Sequence, residues 1–214
     1  MDIVKFWDNN FKTEKYDDTL KINDFCPNIN FFNRLMDYKN LSVLDYGAGN
    51  GWASYLLAAN NNVLSADVSK NALDIINHYK KLFNLNNIST KLIDDDFFKS
   101  NLKYDLIFAS NVLDVIPLSM TRNLLKNFYN SLNENSLLIV SLNYYLDLNE
   151  ACKAYTVEDK EVYIDNVLRL VSLTDKEWIN EFSLYFDLVS LDYFSWPGEE
   201  KNTRRYFVLK KKNL

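Results

Sequence analysis

The sequence predicts an α/β protein, a three-layer α/β/α sandwich in which a mostly parallel sheet carries helices on both faces. Three observations predict it. Short apolar runs that read as strands alternate with segments of helical periodicity, and parallel strands need crossover connections of that kind. Three of the four glycines, Gly47, Gly49 and Gly51, fall within five consecutive positions just after the first strand. Asp67 closes the second strand, about 20 residues beyond the first glycine.

The elements follow in order. LSVLD, ending at Asp45, is a strand, and Trp52 to Ala59 reads as a helix. NVLSAD ends at Asp67. Ser69 then caps a helix whose apolar residues Ala72, Ile75, Ile76, Tyr79, Leu82 and Phe83 keep helical spacing. STKLI, ending at Ile93, is the third strand and runs into Asp94, Asp95 and Asp96. YDLIFAS, ending at Ser110, is the fourth. Ser119 opens a helix with Met120, Leu124, Phe128 and Leu132 on one face, and SLLIVSL, ending at Leu142, is the fifth strand. Thr174 to Glu177 spells a capping box, T-D-K-E, before Trp178 and Phe182. FDLVSLDYF and RYFVLKK flank a turn at Pro197-Gly198, which predicts an antiparallel hairpin at one sheet edge. Residues 1–40 and 144–172 lie outside this core. The many asparagines are spread evenly and read as compositional drift.

A chain of 214 residues suits one domain, and 48% hydrophobic with 25% charged residues is a soluble globular composition. No apolar run reaches the length of a membrane span, and MDIVKFWDNNFKTEK lacks the features of a signal peptide, so the expected compartment is the cytosol. Cys26 and Cys152 have neither metal-type spacing nor a disulfide framework. The net charge of −5 disfavours nucleic acid as a partner. The one basic cluster, RRYFVLKKK, reads as a strand with charged ends. His78, the only histidine, lies off the apolar stripe of its helix and is expected to be exposed and without function.

The glycines belong to VLDYGAGNGWAS, residues 43–54, where a strand turns into a helix whose free N–H groups suit an anionic ligand group. Glycine there permits positive φ and a close approach to a ligand. Asp67 has the spacing of an acid that binds ribose hydroxyls. Two details argue against a dinucleotide. Trp52 stands where GxGxxG needs its third glycine. Asp45, two residues before the first glycine, would repel a pyrophosphate but suit an ammonium group.

These motifs resemble those of the class I S-adenosylmethionine-dependent methyltransferase superfamily, over about residues 41–145 and in outline at the C-terminal hairpin. The resemblance implies a Rossmann-like seven-stranded sheet of order 3-2-1-4-5-7-6 with strand 7 antiparallel. It implies S-adenosylmethionine as cofactor, with Asp45, Gly47, Ala48, Gly49 and Gly51 around its methionine part. Asp67, with Val68 beside it, would hold the ribose. Asp96, or in the alternative register Asp95, would address the adenine amino group, with Phe97 following. Ser110 and Asn111 would lie at the methyl end. Residues 1–40 would cover the substrate, 41–143 form the cofactor core, 144–172 an insertion, and 173–214 the last helix and hairpin.

The sulfonium activates the methyl group, so transfer by in-line displacement needs alignment more than acid–base groups, and no metal is expected. Candidate proton acceptors are Asp114, which otherwise caps a helix, and Tyr16. Trp7, Phe11, Tyr16, Tyr144, Tyr145, Tyr155 and Tyr163 could hold a flat or cationic substrate or simply pack as core. SNVLD after the fourth strand lacks the DPPY or NPPY of DNA amino-methyltransferases, so a small-molecule acceptor is expected. The alternatives are a non-catalytic S-adenosylmethionine- or S-adenosylhomocysteine-binding protein, an aminopropyl transferase and a nucleic-acid methyltransferase.

Overall fold

The computed structural model describes residues 3–213. The chain opens with α1 (Ile3–Lys12), α2 (Ile22–Phe25), α3 (Ile29–Phe32) and a 3-10 turn, Asn33–Asp37. The alternating core follows: β1 (Ser42–Tyr46), α4 (Trp52–Leu57), β2 (Asn62–Asp67), α5 (Lys70–Leu82), β3 (Ile88–Leu92), β4 (Tyr104–Ser110), α6 (Leu118–Ser131) and β5 (Leu132–Leu142). Then come α7 (Leu148–Ala151), β6 (Thr156–Glu158), β7 (Glu161–Ile164), β8 (Val167–Val171), α8 (Asp175–Phe182), β9 (Phe186–Phe194) and β10 (Arg204–Lys211).

The large sheet has the order β3-β2-β1-β4-β5-β10-β9, and β10 runs antiparallel to both of its neighbours. Counting only these strands, this is the expected 3-2-1-4-5-7-6. Successive strand residues face opposite sides, and the pattern divides the core accordingly. Leu44, Ile107, Ala109, Leu138, Val140 and Phe207 pack with α6 and α8. Val43, Leu106, Phe108, Ile139 and Tyr206 pack with α4, α5 and the N-terminal segment, where Phe32 and Leu35 are fully buried. Among the described residues no helix is long and apolar enough to cross a membrane.

Two caps form as expected: Ser69 Oγ accepts from the Ala72 amide, and Thr174 and Glu177 exchange reciprocal bonds. Other features differ. α6 begins at Leu118 behind Pro117, and Met120 on its expected buried face is 51% exposed. β5 starts four residues early, through Asn135 at φ 61°, which shifts its register against β4. Residues 144–172 hold a three-stranded antiparallel sheet, β6-β7-β8, that the sequence reading did not anticipate. The Val171 amide donates to the Asp114 carbonyl (2.7 Å) and Glu161 accepts from the Leu118 amide (3.0 Å), which pins this sheet to the start of α6.

The asparagines also have a structural use. Asn40, Asn84, Asn101, Asn111, Asn135 and Asn166 all adopt positive φ, with Asp159 and Asp165. Asparagine tolerates the left-handed region better than other residues with a Cβ. A chain with four glycines therefore turns several of its corners on asparagine, and at those positions the residue has a structural use.

Candidate active site

The ends of β1, β2 and β4 meet at the carboxyl edge of the sheet, where ligands bind in doubly wound folds. There lies a cavity of about 390 Å³, within the range of small-molecule sites. Gly47, Ala48 and Gly49 form one wall, Asp67 and Val68 a second, and Ser110 and Asn111 a third. Trp7 and Phe11 of α1 and Trp196 of the last turn close over it. With Trp52, three of the four tryptophans line this one space.

The loop is built tightly. Gly47, Gly49 and Gly51 take φ of 69°, 55° and 86°. The amides of Gly47 and Ala48 both donate to the Ala66 carbonyl (2.8 and 3.0 Å), and the Gly49 amide donates to Asp67 Oδ2 (2.9 Å). The Gly51 amide donates to Ala48. Four loop amides are thus consumed within the protein. A Cβ on Gly47 would sit 2.4 Å from Val112 Cγ2, so the cradle's shape depends on its absence.

Asp67 is 5% exposed and accepts from Ser69 N (2.8 Å) as well as Gly49 N. Burial raises its carboxyl above the ordinary range, and those amides partly offset the rise. Asp8 of α1 accepts from Ser69 Oγ (2.7 Å), which ties the helix over the cavity to the turn that holds Asp67.

Several expected site residues lie outside this lining. Asp45, Gly51, Asp95, Asp96 and Phe97 do not line the cavity, and neither do Asp114 and Tyr16. Asp45 points to the opposite face of β1 from Tyr46, where its Oδ2 accepts from Ser54 Oγ (2.5 Å) and Ser54 Oγ shares a bond with Ser65 Oγ (2.6 Å). Gly51 caps α4 in the left-handed conformation. Asp95 and Asp96 are exposed; Asp96 pairs with Lys99 (2.5 Å), while Ile93 takes the wall position. Phe97 is buried against Tyr46. Tyr16 stacks on His78 (4.3 Å), which itself meets Asp18 (2.7 Å) away from the cavity. Asp114 is fully buried, and its Oδ2 accepts from Asn143 N (2.6 Å) and Nδ2 (3.0 Å). None of Tyr144, Tyr145, Tyr155 and Tyr163 lines the cavity.

Tyr46, Trp52 and Trp196 went unassigned in the sequence. A tryptophan beside Pro197-Gly198 was the available signal, since a turn offers it nothing to pack on unless a wall is near. Trp52, at the position denied to the third glycine, packs edge-on to Phe32 at 4.7 Å.

Asp45 yields a stability prediction. Burial pushes its carboxyl up from 3.8 to about 7. A raised acid is best accommodated when protonated, so stability is present below about 4 and is lost as pH rises through about 7. Asp45→Asn removes the ionisation. Its unfolding free energy, from urea denaturation, should exceed the parent's by a margin that grows between pH 5 and 8, reaching ~1–3 kcal/mol. A margin constant with pH would refute the assignment.

Residues 44–138 match the model of a methyltransferase domain family. No curated protein matches the chain by sequence. Solved structures match its fold. The PH0226 protein of Pyrococcus horikoshii has a TM-score of 0.72 at 18% identity, over 95% of this chain and 99% of that one. The N-methyltransferase NodS of Bradyrhizobium japonicum, in complex with S-adenosylhomocysteine, has 0.67 at 14%, over 96% and 98%. An S-adenosylmethionine-dependent methyltransferase of Clostridium acetobutylicum has 0.61 at 15%, over 98% and 97%. The family match spans residues 44–138, and the fold as a whole is that of solved S-adenosylmethionine-dependent methyltransferases. The side-chain-free cradle with Asp67 in the next wall fits the S-adenosyl group that NodS holds.

Proposed function

We propose that the chain transfers a methyl group to a small-molecule acceptor bound in this cavity. One observation carries the reading: the glycine cradle, Asp67 and the Ser110–Asn111 strand end bound a single apolar space that α1 covers. The bound cofactor supplies an activated methyl group on a sulfonium. Asp67 binds the ribose hydroxyls with its remaining lone pairs, Val68 flanks it, and the loop from Gly47 to Gly49 wraps the methionine part. Ser110 and Asn111 mark the methyl end. Asp45, behind the loop, acts on the ammonium only through the loop it supports.

Trp7, Phe11 and Trp196 exclude water from the displacement and offer flat faces to the acceptor. The space extends past Asn111 to Val115 and Met120, which leaves room for an acceptor and favours turnover over cofactor binding alone. The N-terminal segment thus acts as the substrate cover.

Calorimetry with S-adenosylhomocysteine tests the reading. Asp67→Ala should weaken binding about a hundredfold, the worth of two charge-assisted hydrogen bonds. Far-UV circular dichroism should stay native. Unchanged affinity would remove Asp67 from the site.

A further inference from the structure

On that reading, the reacting atom of the acceptor lies beside Asn111. We propose that this atom is the nitrogen of a neutral amine, held by Asn111 Oδ1, and that Asn143 is the positioning residue that aims that oxygen into the cavity.

The orientation follows from a chain of groups with forced polarity. Glu199 grips Arg204 through Nε (2.9 Å to each carboxylate oxygen) and Nη2 (2.6 Å). Arg204 Nη1 donates to the side chain of Asn143. A guanidinium only donates, so the atom it meets is Oδ1. At the other end Asn143 Nδ2 donates to Asp114 Oδ2 (3.0 Å), an oxygen already fixed by the Asn143 amide (2.6 Å). Asn143 therefore shows Asn111 an acceptor, and Asn111 must answer with Nδ2 (2.9 Å). Its Oδ1 is left over. The partner it has is Ser110 Oγ at a long 3.3 Å, and that hydroxyl has a closer one in Ser141 Oγ (2.6 Å). Asn111 sits in the cavity wall with φ 53°. It presents a neutral acceptor there, whose complement is an N–H or O–H.

The surroundings choose between those two. Among the described residues lining the cavity, the titratable ones are Tyr46 and Asp67. Asp67 is engaged by two amides, and burial pushes the Tyr46 phenol up to about 12, so it stays protonated. Asp114 lies behind Asn143. An amide oxygen accepts a hydrogen bond but takes no proton, so a hydroxyl nucleophile finds no base. A neutral amine needs none. With one N–H on Asn111 Oδ1, its lone pair forms the new N–C bond as the S–C bond breaks and that electron pair goes to sulfur. The positive charge passes to nitrogen, and the ammonium product later gives its proton to solvent. A thiolate would turn a lone pair toward Oδ1 and be repelled.

Aniline, phenol and thiophenol, alike in shape, are the probes, used at neutral pH with the full chain and S-adenosylmethionine. N-Methylaniline should form at least about tenfold faster than either other product, the worth of one matched hydrogen bond. Asn111→Leu should lower kcat/KM for aniline about a hundredfold. By calorimetry it should weaken aniline binding to the S-adenosylhomocysteine complex about tenfold. Asn143→Leu should do the same, and the double variant should be no worse than Asn111→Leu alone, because one acts through the other. Additive losses would mean a merely structural role. If Asn143→Leu fails to fold, Arg204→Gln carries the same expectation at about tenfold. The amine assignment is overturned by phenol or thiophenol reacting as fast as aniline. It is equally overturned by an inert aniline with S-adenosylhomocysteine still bound, or by an unaffected Asn111→Leu. A wild-type chain with no affinity for S-adenosylhomocysteine would instead sink the methyltransferase reading itself.

Discussion

Gly47→Val is expected to abolish measurable S-adenosylhomocysteine binding and to lower folding stability by ~2–5 kcal/mol. Two costs add. A left-handed φ of 69° strains any residue with a Cβ, and a β-branched one most of all. The new carbon would also lie 2.4 Å from Val112 Cγ2, and Val112 is itself packed against the core that holds α6. The loop can relieve the overlap only by moving, which breaks the two amide bonds to the Ala66 carbonyl and opens the cradle. Calorimetry and urea denaturation together check this. Gly198→Ala is the control: its φ is 87°, but nothing lies within 4 Å of the added carbon. It should cost ~1–2 kcal/mol of backbone strain and leave binding intact. Equal effects from the two would mean that strain, rather than the cradle's shape, matters at Gly47.

Asp114→Ala is expected to cost ~3–5 kcal/mol of stability. Asp114 is fully buried, Arg205 is 1% exposed, and each supplies charge the other feels. For both, burial disfavours the charged form and outweighs that attraction: the carboxyl is raised and the guanidinium lowered. Neither is fully satisfied, since Asp114 Oδ1 and Arg205 Nη2 have no hydrogen-bond partner among the described residues. Buried opposite charges of this kind are close to neutral when both are present and expensive when one is removed, and Arg205 would be left with Asp175 at 3.5 Å as its remaining carboxylate partner among the described residues. The alanine also strands the Asn143 amide and Nδ2. An unfolding free energy within about 1 kcal/mol of the parent, on the order of a surface change, would show that the pair is not coupled.

Much of this was legible in the sequence because it depended on local chemistry. The concentration of glycine, the acid closing β2, the Thr174–Glu177 box and the Pro197-Gly198 hairpin each demand one backbone geometry. What stayed hidden depended on facing. Nothing local distinguishes Asp45 from Tyr46, yet strand alternation sends the first to Ser54 and the second to the cavity. Asp96 is exposed and pairs at the surface with Lys99, three residues on. The small sheet was missed for a different reason. Its β7–β8 hairpin turns on Asp165-Asn166, both at positive φ, a primed turn written without glycine. The relay from Glu199 to Asn111 joins residues 88 positions apart, and only the closing of β10 onto β5 assembles it.

Writing corners in asparagine also changes the denatured chain. Each glycine avoided leaves fewer disordered conformations to give up on folding, an advantage of ~0.4–1 kcal/mol per site where the native angle is tolerated. The polypeptide keeps three of its four freest joints within five positions, Gly47 to Gly51, and stays comparatively stiff elsewhere apart from Gly198. The stretch proposed to wrap the methionine part is thus also the one with most entropy to lose, and an occupied cradle would offset that loss where it is greatest.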